Sequence, residues 1–191
     1  MVKSKDLIKA VFDDDVMKRN KWFFTADWKN AEIENLETKN DWLRVKYIIW
    51  YNGTWKNGIW KNGIWKYGFW KDGAWKEGIW YNGTWEKGRW YNKTWKNGKW
   101  TSGTWYSGVW GNGTWKYGWW YDGTWKNGVW ENGTWVRGTW KNGTWKNGKW
   151  HEGVWENGKW VKGRIYDSKI QEYRESAVPP NECKWSSSYG K

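Results

Sequence analysis

The 191-residue sequence predicts an all-β repeat protein: a four-sided β-solenoid of five-residue units with small helical caps. Three observations carry this reading. Trp stands at every fifth position from Trp50 to Trp160 without a break, and Gly stands two residues before each Trp, and before Ile165, from Gly53 to Gly163, with Lys93 the one exception. A period of five would smear Trp around a whole helix, and a Gly in every unit would cost a helix roughly 1 kcal/mol each, so helix is excluded. Thr, Ile and Val beside the Trp favour extended backbone, and Asn-Gly pairs such as Asn57-Gly58 and Asn127-Gly128 mark bends between very short strands.

The elements follow in order. Residues 1–49 read as an N-terminal cap. Leu7, Ile8, Val11 and Phe12 share one face of a helix over 4–19 with Ser4 as its N-cap. Residues 20–49 read as irregular strands, Trp22-Phe23-Phe24 and Trp42-Leu43-Arg44-Val45-Lys46-Tyr47. Ala26-Asp27-Trp28 and Ala31-Glu32-Ile33 continue the five-residue register with Ala in the Gly place. Ala is unfavourable where φ must be positive, so the small residue is expected to be needed for space.

Residues 50–165 form the Trp-repeat array. With four units per coil, a turn holds twenty residues, Trp and Gly point inward, and the array makes a rod ~28 Å long. The alternative is a meander of very short β-hairpins turning at each Asn-Gly, with a Trp ladder on one face. A ten-residue alternation fits the two ends of a hairpin naturally, and also fits a rectangular solenoid with two kinds of side: Thr precedes Trp at 84, 94, 104, 114, 124, 134 and 144, whereas Arg89, Lys99, Val109, Trp119, Val129, Thr139 and Lys149 fill the sites between. Lys93 also troubles the solenoid, since it would point inward. Residues 166–191 read as a C-terminal cap. Ser168-Lys169-Ile170-Gln171 opens a helix that runs to about Ser176 and is stopped by Val178-Pro179-Pro180, and the tail 186–191 is flexible or held by a partner.

Ala26-Asp27-Trp28 and Ala31-Glu32-Ile33 resemble the Ala-(Asp/Asn)-Leu-x-x unit of pentapeptide-repeat proteins, which implies a right-handed four-sided β-helix. The array departs from that family in residue type at both inward places. Asn-Gly-Thr-Trp-Lys-Asn-Gly, as at 142–148, more closely resembles Trp-rich repeat proteins of tailed bacteriophages. That resemblance implies a structural role in a virion, or a place in the host cytoplasm, with other virion proteins as partners at the end caps.

Composition narrows the function further. One His and one Cys cannot build a metal cluster rich in those residues, or a nucleophile pair with a spare partner. Asp13-Asp14-Asp15 lacks calcium-loop spacing, and the glycines never open a helix as a phosphate loop does. No enzyme, cofactor or metal is expected, and His151 and Cys183 read as ordinary residues. No signal peptide is evident at the N-terminus and no apolar run approaches the ~18 residues that span a bilayer, so no membrane insertion is expected.

Charge is the remaining signal. Of a net +13, most lies in residues 51–165, where Lys and Arg outnumber Asp and Glu nineteen to seven. In a twenty-residue coil, Lys56, Lys76, Lys96 and Lys116 stack in one column that suits a polyanion, nucleic acid or acidic glycan. Tyr51, Tyr81, Tyr91, Tyr106 and Tyr121 point outward and are candidates for stacking on sugars or bases, although they form no single column. Outward Asn92, Asn112 and Asn132 are expected to ladder by side-chain hydrogen bonds. The expected function is a rigid structural spacer docking through its ends, with polyanion binding as the alternative.

Overall fold

The structure, a computed structural model, describes residues 31–39, 42–50, 53–55, 59–60 and 63–190, with side chains from Trp50 onward. The helix expected over 4–19 and the Trp22 and Ala26 segments lie outside the described residues.

The array is a parallel β-solenoid with three sides, not four. Each two-residue rung pairs with the rung fifteen residues on: Trp90 faces Trp75 on one side and Trp105 on the other, and Trp100 lies between Trp85 and Trp115. The first side runs from Trp60 to Trp150 and ends at Ile165. The second runs from Trp65 to Trp155, and the third from Trp55 to Trp160. Two hydrogen bonds tie each rung to the one below, as where Thr104 N donates to Gly88 O (2.9 Å) and Tyr106 N to Trp90 O (2.8 Å).

Three sides follow from what fills the centre. Every Trp of the five-residue register from Trp50 to Trp150 is fully buried. Each indole stacks flat on the one fifteen residues away, 4.8 Å and 6° for Trp105 and Trp120, the spacing of the hydrogen-bonded rungs. Successive indoles meet edge to face, 6.0 Å and 73° for Trp105 and Trp110. Both arrangements are ones that the ring quadrupole favours. Three Trp per turn therefore close a triangle in which each edge meets a face, and no larger square remains to be filled.

Glycine is required at the corners for two reasons, and space is only one of them. Gly103 sits at φ +124°, a region closed to residues with a Cβ, and a Cβ built there would overlap the carbonyl oxygen of Gly88 one turn below. The preceding Asn or Asp supplies the acceptor that the corner N–H lacks within the rung, as where Gly123 N donates to Asp122 Oδ1 (2.7 Å) and Gly83 N to Asn82 Oδ1 (2.8 Å). Ala31-Glu32-Ile33 is not a repeat unit after all. It belongs to the strand Ala31–Lys39, which pairs antiparallel with Trp42–Trp50. Only the latter strand joins the coil, with Val45 beside Trp60 and Trp50 beside Trp65.

Lys93 does not point inward. It takes φ +82°, its side chain is exposed, and its N–H donates to Asn92 Oδ1 (2.7 Å). The local rung opens in response, with Thr94 N to Gly78 O stretched to 3.4 Å against 2.9 Å for Thr124 N to Gly108 O.

The C-terminal cap is a β-hairpin where a helix was expected. Gly163–Asp167 extends the first side, with Trp150 opposite Ile165, and Glu172–Ser176 folds back antiparallel to it, Tyr166 opposite Tyr173. Sheet pairing overrides the local capping pattern: Asp167 Oδ1 accepts from Lys169 N (3.0 Å) in a turn that closes the hairpin. The tail is not loose. Cys183, Ser186 and Ser188 are buried, Trp150 Nε1 donates to Ser188 Oγ (3.2 Å), and Trp185 packs against the Trp core. The last indoles of the array are thus covered by the chain itself.

Candidate functional site

A fifteen-residue turn redistributes every outward residue. Lys76 follows the first side's Trp75, Lys96 the second side's Trp95 and Lys116 the third side's Trp115. Lys76, Lys96 and Lys116 therefore lie on three different corners and form no stack; Lys56 lies outside the described residues. The cation column that does form follows the second side: Lys66, Tyr81, Lys96, Gly111, Lys126 and Lys141, one rung apart. Its only acid is Glu156 at the end, paired to Lys141 at 3.6 Å. On the third side's corner, by contrast, Lys146 pairs with Glu131 at 3.5 Å. Such exposed pairs contribute little to stability, but they cancel the field where they occur.

The tyrosines, expected to be scattered, do make a column. Tyr91, Tyr106 and Tyr121 stack at 4.9 and 5.4 Å, and the Lys76 ammonium sits 3.3 Å from the Tyr91 ring centre. Trp119 lies nearly parallel to Tyr121 at 6.2 Å and is 50% exposed. Higher on the same column, His151 packs 4.1 Å from Tyr166 and its Nδ1 lies 3.3 Å from Tyr173 Oη. Burial, aided by Tyr166, pushes the Tyr173 phenol above its ordinary range. In this column the ring faces look along the rod and press on one another. A sugar or base could stack only by displacing a neighbour. Tyr81, under the Lys66 ammonium at 4.3 Å, stands apart on the second side, and Tyr51 lies outside the described residues.

The asparagines expected to ladder, Asn92, Asn112 and Asn132, fall on different corners for the same reason. The ladder that forms includes Asn97 and Asn112, where Asn112 Nδ2 donates to Asn97 Oδ1 at 3.4 Å.

Sequence reasoning missed a groove at the corner between the third and first sides. It has a volume of about 300 Å³ and is lined by Tyr117, Asn132, Asn147, Lys149 and Arg164 together with corner glycines. The twenty-residue frame placed these residues apart. Tyr117, Asn132 and Asn147 share a corner column only when the turn is fifteen. A Tyr at a place otherwise held by small or polar residues was the available signal. Among the described residues, no three His, Cys, Asp or Glu side chains gather into a cation site.

Comparison with known protein families, with curated proteins and with solved structures found no match.

Proposed function

We propose that the chain is a non-enzymatic structural element, a stiff β-rod that holds whatever binds its two ends at a fixed separation. The observation that carries this reading is the continuous core: indoles stacked without a gap along each side, with each turn contacting only its neighbours. An all-aromatic core of interlocked faces and edges leaves few alternative rotamers and resists bending. The likeness of the repeat to Trp-rich phage repeats points to a virion as the setting.

Removal of one full turn, residues 97–111, tests it. The shortened chain should fold with its caps intact and shorten the assembly that contains it by about 5 Å. An assembly of unchanged dimensions, or a chain that joins no assembly in its native source, contradicts a spacer.

The second reading is polyanion binding, and the relocated lysine column on the second side favours it. It predicts retention on heparin or DNA that falls steeply with salt and is weakened by Lys96→Thr with Lys126→Thr. Absence of retention at low ionic strength excludes it.

A further inference from the structure

We infer that the groove between the third and first sides is a subsite for an acidic saccharide, one carrying a carboxylate or sulfate beside free hydroxyls. The inference is independent of the spacer reading and of the lysine column, which lies on another corner.

The groove arises where three turns place unusual residues in register. Its floor is the glycine backbone of two successive corners, Gly133 and Gly148, which leave a trough because they carry no side chain. One flank is the corner column Tyr117, Asn132, Asn147, and the other holds Lys149 and Arg164 on successive rungs of the first side. Thr134, the short residue on the rung below Lys149, separates it from Trp119 one rung further down.

Each lining group has a distinct use. Tyr117 is 57% exposed, and among the described residues no other ring lies against it, in contrast to the self-stacked column of Tyr91, Tyr106 and Tyr121. Its exposed ring offers a surface for the apolar face of a pyranose. Asn132, which lines the groove, uses its Oδ1 at its own corner, accepting from Gly133 N at 2.8 Å, and that bond does not engage its Nδ2 donors. Asn147 adds a second amide one rung higher. Arg164 pairs with Glu175 through Nε at a long 3.7 Å, and Glu175 is largely solvent-exposed, so the guanidinium remains able to pair with a carboxylate or sulfate. The Lys149 ammonium, 5.1 Å from the Tyr173 ring centre, supplies a second positive charge.

This set favours a saccharide over a nucleic acid. A single strand needs cations that track a long backbone and several rings on which to stack successive bases. Here two amides and one free ring accompany two cations in a short trough, near the lower end of the ~300–1,000 Å³ typical of small-ligand sites.

The test uses the full chain and three probes at low ionic strength: an oligogalacturonate, a neutral maltooligosaccharide, and a single-stranded oligonucleotide. Calorimetry should show the oligogalacturonate binding at one site, more tightly than either other probe. Tyr117→Asn and, separately, Lys149→Thr should each weaken it about tenfold, while Lys96→Thr on the second side leaves it unchanged. Asn and Thr are the repeat's own residues at those places, so both variants should fold, and circular dichroism checks this. The inference is overturned by absence of oligogalacturonate binding, by binding indifferent to both groove variants, or by a preference for the oligonucleotide that Tyr117→Asn abolishes.

Discussion

At the residue scale, equivalent positions do unequal work. Trp105 touches four other indoles, two flat and two edge-on, and is fully buried. Trp105→Ala should therefore destabilise by ~3–5 kcal/mol in denaturant unfolding, because stacked rings above and below cannot collapse into the hole. Trp119 has the same side chain on the outside of the sheet, half exposed. Trp119→Thr should change stability by less than ~0.5 kcal/mol. Lys93 carries a positive φ without the glycine that suits it, and the stretched Thr94–Gly78 hydrogen bond records the consequence. Lys93→Gly keeps the N–H that donates to Asn92 and removes the strain, so it should raise stability by about 1 kcal/mol, read as a higher midpoint; a lower midpoint would contradict strain at this corner.

At the element scale, the fifteen-residue turn explains what the sequence left ambiguous. Three is odd, so an alternation every second unit becomes an alternation up each column. On the third side the residues before Trp run Thr84, Lys99, Thr114, Val129, Thr144, Lys159. On this side each long or charged side chain thus has a short β-branched one on at least one adjoining rung, at ~4.8 Å, which relieves crowding and like-charge repulsion. A four-sided coil would have placed Thr84, Thr104, Thr124 and Thr144 on one another and Lys99 against Trp119. The repeat length, the inward Trp and the short strands were legible from spacing alone. The number of sides was legible only in this alternation, which also fits a hairpin meander. The cap was misread because Ser168-Lys169-Ile170-Gln171 carries a helical start signal that sheet pairing overrides, and the groove was hidden because its residues come together only in a three-sided coil.

The cap offers its own prediction. The Arg174 guanidinium donates to Asp167 Oδ2 at 2.9 Å and holds that buried carboxyl below the ordinary carboxylate value, with the Lys169 N–H adding to the effect and burial opposing it. A depressed folded value means the contact stabilises the cap above the unfolded carboxylate range near 3.8 and is lost as pH falls from there through the lowered value. Hydrogen exchange of the 172–176 strand should rise over that acid window in the parent chain. In Asp167→Asn it should already be raised at neutral pH and show no step in acid.

At the scale of the whole molecule, the repeat array is a triangular rod whose interior is indole from Trp50 to Trp155, closed by Ile165 and Cys183, and whose exterior varies. The first side runs eight rungs from Trp60 to Ile165, seven steps that span about 35 Å. Stability should follow nearest-neighbour terms: removing one turn lowers it by a fixed increment without loss of the fold. Three corners with different decoration then give one stiff body three distinct surfaces: a self-stacked aromatic column, a lysine column and a groove. The excess of Trp is core material, and recognition must come from the residues between.

The three-sided turn is tested most directly by engineered disulfides in a chain whose own buried thiol is removed by Cys183→Ala. Lys126→Cys with Lys141→Cys places the pair on adjacent rungs of one column, within the ~4.4–6.8 Å Cα separation that a disulfide spans. Lys126→Cys with Lys146→Cys, twenty residues apart, places the pair on different corners. Under mild oxidation the first pair should close intramolecularly and the second should stay reduced. Closure of the second pair and not the first would contradict the fifteen-residue turn and restore a four-sided coil.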